Sequence, residues 1–321
     1  MMLKKYSYII MSVIALSLFW ACSDDDNPTI FSNDCIKRTT GPNVIGQDLE
    51  FSYAMVLPPS AGKIVSAQVE ATIAGANGTY LANKSLYTNG SGENVGVPIG
   101  EPSVTNGMKT EVVFTKDTCA ATLRYYYIIP EEARGKQVSF TFSSTASNGE
   151  KATYSMGPYT ISKVDMTLDL EAVTDDRCFF SIEDMAFYTA TEAATRPDKI
   201  DLVYLYRKLS TVKYEHAMVA PANTEYMLNM TMPSGVNRNT PIIKEYGLRD
   251  KHLARLQYGI YVDDLDFEKI TFTNKPNYAI DVKKEGAVWV ETQDGKYRAF
   301  IYFNELTATK ATMSVKRYTM K

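Results

Sequence analysis

Lys63-Ile64-Val65-Ser66-Ala67-Gln68-Val69-Glu70-Ala71-Thr72-Ile73-Ala74 is the stretch that decides the fold. Val65, Ala67, Val69, Ala71 and Ile73 alternate with Ser66, Gln68, Glu70 and Thr72. Successive side chains of a strand point to opposite faces, so this period of two predicts a strand with one buried apolar face and one wet polar face. Further runs that read as strands lie at 48–57, 110–114, 120–129, 137–143 and 154–161. Asn77-Gly78, Asn89-Gly90, Asn106-Gly107 and Asn148-Gly149 fall in the breaks, and these dipeptides tolerate the positive φ that tight turns need. Many short strands with this punctuation predict an all-β fold, with a β-sandwich over residues 45–164.

The second half, residues 165–321, predicts another β-sandwich domain, or a jelly-roll-like one. Ile200, Leu202, Tyr204 and Tyr206 alternate with Asp201, Val203 and Leu205, as in a strand covered on both sides. One short helix is predicted at 250–258, where Leu253, Leu256 and Ile260 sit three and four apart; Asp250 is the expected cap and Gly259 the expected stop. Near the end, Asp294-Gly295 reads as a type I′ turn. A two-residue loop there pairs Glu291 with Arg298, Val290 with Ala299, Trp289 with Phe300 and Val288 with Ile301. Trp289, Phe300 and Tyr302 then share a face with the Glu291–Arg298 pair, an unusual mixture for plain solvent exposure. These five residues are the candidate ligand-binding face, and the competing expectation is that the rings seal against another element of the domain.

The N-terminus carries an address. Lys4 and Lys5 precede an apolar or weakly polar stretch of 12 residues, Tyr8 to Phe19, and then Trp20-Ala21-Cys22. This reads as a signal peptide over residues 1–21, since a bilayer-spanning helix needs about 20 apolar residues. Ala21-Cys22 with polar residues after it resembles a bacterial lipobox, although Phe19 and Trp20 stand where Leu and a small residue are usual. The resemblance implies diacylglycerol and acyl (palmitate-like) chains on Cys22, and each buried CH₂ adds about 0.8 kcal/mol of membrane affinity. Ser23-Asp24-Asp25-Asp26 resembles the export signal of Bacteroidetes surface lipoproteins, which implies an outer-membrane protein facing the medium. A solvated acidic run is the plainer alternative. Residues 22–44 read as a flexible tether.

Two further segments carry a family resemblance. Ile128-Ile129-Pro130, Ala133-Arg134-Gly135-Lys136-Gln137-Val138-Ser139-Phe140-Thr141-Phe142 and Asn148-Gly149 resemble the last strands of immunoglobulin-like modules in Bacteroidetes surface lipoproteins. Phe179-Phe180-Ser181, Tyr188-Thr189, Glu192-Ala193 and Ile200 to Tyr206, followed by Ala220-Pro221, resemble a segment of such lipoproteins of unknown function, many encoded beside SusC/SusD-type nutrient importers. The resemblance implies an accessory protein of an outer-membrane uptake system, with a glycan or peptide as ligand. An adhesive or structural surface protein is the alternative.

Composition limits other classes. Loss of Lys4 and Lys5 with the signal peptide leaves 32 basic against 37 acidic residues, a net charge of −5, with no concentrated basic face for nucleic acid. Beyond Cys22 there remain Cys35, Cys119 and Cys178, widely spaced, so one disulfide and three free thiols are both open, and a zinc site is not expected. His216 and His252 are the only imidazoles and neighbour no nucleophile motif; GxSxG, HExxH, P-loop and GxGxxG are absent. An enzyme, of hydrolase type, is the outside expectation. No cofactor is expected, and the one weak cation candidate is calcium at Asp263, Asp264 and Asp266, a cluster that lacks the EF-hand order and reads more simply as a solvated turn. Tyr125-Tyr126-Tyr127 places rings on both faces of one strand and reads as sandwich filling.

Overall fold

The computed structural model describes residues 30–208 and 214–320. The expected signal peptide, Cys22 and Ser23-Asp24-Asp25-Asp26 lie outside the described residues. Among those described, no helix is long and apolar enough to cross a membrane.

The first domain is a sandwich of strands β1 Ser32–Lys37, β2 Asp48–Val56, β3 Ile64–Ala71, β4 Tyr80–Leu81, β5 Lys84–Thr88, β6 Asn94–Pro98, β7 Val104–Asn106, β8 Lys109–Val113, β9 Ala120–Ile128, β10 Gln137–Ala146 and β11 Lys151–Thr160. One sheet runs β1-β2-β9-β4, the facing sheet runs β11-β10-β3-β8-β7, and β5 with β6 makes a separate ribbon. All strand pairs in these sheets are antiparallel. The inward residues Phe51, Tyr53, Tyr125, Tyr127, Phe140 and Phe142 are essentially sealed from solvent. Their rings meet at centroid distances from 4.8 Å (Phe51–Phe140) to 6.5 Å (Phe140–Phe142), in tilted and edge-on arrangements. Each such burial contributes about 1.5–3 kcal/mol. Tyr126 points the other way and stacks on Tyr80 at 4.9 Å, so the tyrosine triplet fills both sides of one strand.

Two expectations need correction here. Strand β1 falls inside the region expected to be a tether, because Cys35 is a buried core residue and Ser32 to Lys37 pair with Val56 to Phe51. Val65 is exposed, and Ile64 takes the buried place. A register shift between Thr145 and Ala146 against β3 inserts one residue before Ala67, and a one-residue slip flips the face.

The second domain contains β12 Val164–Val173, β13 Phe179–Ser181, β14 Ala186–Tyr188, β15 Leu202–Tyr206, β16 His216–Val219, β17 Ile242–Glu245, β18 Tyr278–Ile280, β19 Ala287–Glu291, β20 Tyr297–Leu306 and β21 Lys310–Thr319. Among the described residues, three α-helices join them: α1 Ala190–Ala194, α2 Lys251–Ala254 and α3 Asp264–Lys269. The sheets are β12-β21-β20-β19-β17 and β14-β13-β15-β16-β18, packed as a sandwich. Strands β19, β20 and β21 run as a meander, the plain sandwich of the two expected forms. A second core lies on the other face of the β20 sheet, beneath α2, α3 and their loops.

The expected hairpin register holds: Glu291 faces Arg298, and Trp289 faces Phe300. The turn type does not. Gly295 N–H donates to Thr292 O at 2.8 Å, and Gly295 alone of the Asp294-Gly295 pair has positive φ, 64°. A type I′ turn needs both central residues there, so the loop is a wider one held by the Thr292 side chain, which accepts from Lys296 and Tyr297 N–H.

The domains meet at residues 161–163, just short of the expected boundary, since Val164 already belongs to β12. Asn43 bridges to Ile161, and the Asp264 carboxylate accepts from Ser162 Oγ and, at 2.9 Å, from Lys163 N–H. Tyr261 hydroxyl meets Thr40 Oγ1 at 2.8 Å, and its ring lies where any Cβ at position 41 would collide at 2.6 Å, so Gly41 is required there. Cys35, Cys119 and Cys178 are free thiols. Burial pushes those of Cys35 and Cys178 up to about 12, which removes them as nucleophiles near neutrality.

Candidate binding face of the second domain

The five residues of the expected ligand face come together, but not at a surface. Trp289, Phe300 and Tyr302 are 4, 0 and 2 % exposed. Phe267 of α3 meets Trp289 edge-on at 5.2 Å and stacks on Tyr318 at 5.7 Å, closing the second core. The reading of these rings as a contact surface is therefore corrected to the competing one: they seal against another element of the domain. Glu291 and Arg298 do pair at 2.7 Å, yet the guanidinium is committed elsewhere as well, donating to Phe267 O at 2.5 Å and Glu268 O at 3.3 Å. It caps the C-terminal turn of α3, where carbonyls lack partners.

The acidic cluster is corrected too. Asp263, Asp264 and Asp266 open a helix rather than forming a bare turn. Asp263 is the N-cap of α3, accepting from Leu265 and Asp266 N–H, while Asp266 reaches back to Asp263 N–H as a capping box. Asp264 faces the first domain. Among the described residues, no three His, Cys, Asp or Glu side chains are grouped to hold a metal ion.

The predicted helix at 250–258 is one turn long, ending at Arg255 with φ 53° rather than at Gly259. Asp250 caps it, accepting from Leu253 N–H at 2.9 Å. The same carboxylate accepts from Val262 N–H at 2.6 Å and from Lys316 Nζ at 2.7 Å. Lys316 stands on β21 and also donates to Val262 O at 2.8 Å; both members of the pair are 0 % exposed. The loop is thus tied to the sheet by a buried ion pair, with the Asn304 Nδ2 bond to Leu253 O as a further tie. Its two ends zip together through Lys251 N–H to Ile260 O and Ile260 N–H to Arg249 O. Gly259 is obligatory, with φ 125° and only 2.4 Å between a built Cβ and Arg249 O.

That clamp leaves an aromatic groove of about 590 Å³ on the outer surface, lined by Tyr246, Leu248, Arg249, Tyr258, Gly259 and Ile260. Tyr246, Tyr258 and Ile260 are 52, 64 and 51 % exposed. Neither tyrosine is loose: Tyr246 donates its hydroxyl to Asp281 O at 3.0 Å with Lys244 Nζ 5.1 Å from its ring centroid, and the Arg249 guanidinium lies 5.9 Å from the Tyr258 ring. Arg249 also bonds Glu285 at 2.5 Å, and Glu285 lines a neighbouring polar cleft of about 410 Å³. Asp169, Arg255, Lys284, Tyr302 and Asn304 line it with Glu285. Arg255 holds Asp169 through two bonds of 2.7 and 2.9 Å.

Eight non-glycine residues among those described have positive φ, and three of them, Asp169, Arg255 and Glu285, line this one cleft. Strained backbone persists where surrounding structure over-determines it, and such residues gather at binding sites. The histidines play no part. His216 shares a 2.8 Å hydrogen bond with Tyr204 in the core, and burial holds His252 down to about 4, neutral at pH 7 beside Tyr261. Tyr246 and Tyr258 are not among the residues the sequence singles out. Their only signal is that each precedes a glycine, Tyr246-Gly247 and Tyr258-Gly259, in a stretch without strand period.

Comparison with known proteins divides the chain where the structure does. Residues 28–161 match a domain of unknown function (DUF4466) and residues 162–320 match another (DUF8576). A crystal structure of a DUF4466 family protein from Parabacteroides merdae is 48 % identical and superposes with a TM-score of 0.85, covering 91 % of this chain and 99 % of that one. No curated protein matches the chain.

Proposed function

From the premise that the chain belongs to the DUF4466 family, we propose that it is a surface-exposed accessory binding lipoprotein of an outer-membrane nutrient uptake system, capturing a glycan or peptide ligand at the groove and cleft of its second domain. The observation that carries the reading is the pair of exposed, oriented tyrosines beside a cleft with three strained side-chain carriers.

The path of the chain supports display. Ile30 and Phe31 lie with Pro58, Ala61, Glu150 and Lys151, at the end of the first sandwich where β11 begins. Thr160, at the other end of that ten-residue strand, leads into the second domain. A strand of that length spans about 33 Å. With acyl chains on Cys22, the first domain is a spacer and the second domain stands outward of it. Exposed Tyr87 and Val97 on the β5–β6 ribbon, with Val104, Met108 and Val113 beside it in sequence, favour a second reading, protein contact by the first domain, either with a SusC/SusD-type transporter or as adhesion.

Cells making the Cys22→Ala variant should release the protein from the membrane fraction and lose capture of a labelled mixture of polysaccharide fragments and oligopeptides. Undiminished capture by those cells rules the proposal out.

A further inference from the structure

We propose that the ligand of this face is an uncharged oligosaccharide lying across both halves, sugar rings on Tyr246 and Tyr258 and hydroxyls in the cleft; the inference rests on the binding role proposed above. The charges decide the class. Arg249, Arg255 and Lys284 stand against Asp169, Glu285 and Glu305, so the lining balances, and the two arginines are already engaged by Glu285 and Asp169. A ligand bearing net charge would either compete with those pairs or, held by Lys284 or Glu305, leave the lining unbalanced, whereas a neutral one leaves both the pairs and the balance intact.

The same pairs present donors and acceptors side by side. A guanidinium holding a carboxylate keeps N–H groups on its free edge, and the carboxylate keeps lone pairs, so each pair offers both functions within a few ångströms. A sugar hydroxyl is itself donor and acceptor, and a row of such paired sites matches a row of hydroxyls. Asn304 is held in place, its Nδ2 donating to Leu253 O and its Oδ1 accepting from Ser314 Oγ, which fixes the cleft wall. In the groove the chemistry changes. The exposed faces of Tyr246 and Tyr258 and the side chain of Ile260 are apolar, suited to the C–H face of a pyranose. The Arg249–Glu285 bond at 2.5 Å spans the boundary of the two halves, so a ligand crossing it meets apolar walls on one side and paired polar groups on the other. A chain of several sugar units alternates those two kinds of surface along its length; an extended peptide in the groove would instead require free backbone partners along its edge.

The test is titration calorimetry on the full lipidated chain in nanodiscs, with four neutral hexasaccharides (gluco-, xylo-, manno- and galacto-), hexagalacturonate, and an uncharged hexapeptide containing two tyrosines. The expected result is binding of at least one neutral hexasaccharide, with an affinity that does not change between low and high salt. Tyr258→Ala should weaken it at least tenfold, about 1.4 kcal/mol, with an unchanged thermal midpoint because its ring is exposed, and Tyr246→Ala should weaken it likewise, with a lower midpoint from loss of its bond to Asp281 O. Preference for hexagalacturonate overturns the neutral-ligand inference. Tyrosine-dependent binding of the hexapeptide overturns the saccharide class and leaves the binding role standing. Absence of binding to every probe, or binding that ignores both tyrosine substitutions, overturns the site and the role together.

Discussion

Phe267→Ala should destabilise the second domain by about 3–5 kcal/mol, the range for deleting a buried aromatic ring. Phe267 is 0 % exposed and is the ring through which α3 reaches the sheet, edge-on to Trp289 and stacked on Tyr318. Its removal leaves a void between a six-residue helix and a rigid sheet. The helix cannot follow inward, since Arg298 holds its last turn and Asp264 ties its first turn to Ser162 and Lys163. Poor collapse places the effect toward the upper part of that range. Chemical denaturation followed by tryptophan fluorescence measures it, because Trp289 is the only tryptophan beyond Trp20. A loss below about 1 kcal/mol would mean that the helical layer does not seal this face.

Asp250→Ala should be about as damaging, also near 3–5 kcal/mol, through charge rather than volume. The substitution strips the helix cap, frees Val262 N–H and leaves the Lys316 ammonium buried with only Val262 O to receive it. Burial already pulls the Lys316 pKa below the usual lysine range, and Asp250 is the main group opposing that pull. The double variant Asp250→Ala/Lys316→Met removes the stranded charge and should recover part of the loss, since an apolar replacement of a buried pair is often near neutral. Urea unfolding of the two single variants and the double one gives the coupling. Strictly additive losses would contradict a mutually dependent pair.

These two residues also show how far the sequence could be read. Period two at 63–74 and the Asn-Gly breaks made the sandwiches legible, because a half-buried strand writes its pleat directly into the chain. The register of the last hairpin was legible for the same reason, although Asp294-Gly295 does not form the turn its dipeptide suggests; Thr292 competes for the backbone donors there. The outward turn of Val65 is not legible, because a bulge leaves no mark on the strand's own pattern.

The candidate site was harder to read. Ala299-Phe300-Ile301-Tyr302-Phe303 is apolar without alternation, the signature of a strand covered on both faces, and Lys316 and Ser314 between apolar neighbours on β21 hide the same fact. What covers the outer face is a segment of short turns, and its defining bonds run from Asp250 to Lys316 across 66 positions. No local period encodes a contact of that separation. The acidic run at 263–268 looked like a solvated turn because capping boxes and exposed turns draw on the same residues. Tyr246 and Tyr258 were missed because an exposed aromatic in a loop is recognised only once the loop's shape is known.

Hydroxyl-radical footprinting of the intact chain, with and without a saturating bound oligosaccharide, tests most directly where the aromatic binding face lies. The predicted result is rapid oxidation of Tyr246 and Tyr258 that the ligand suppresses, with Trp289 and Phe300 unreactive in both states. Rapid, ligand-protected oxidation of Trp289 would contradict it.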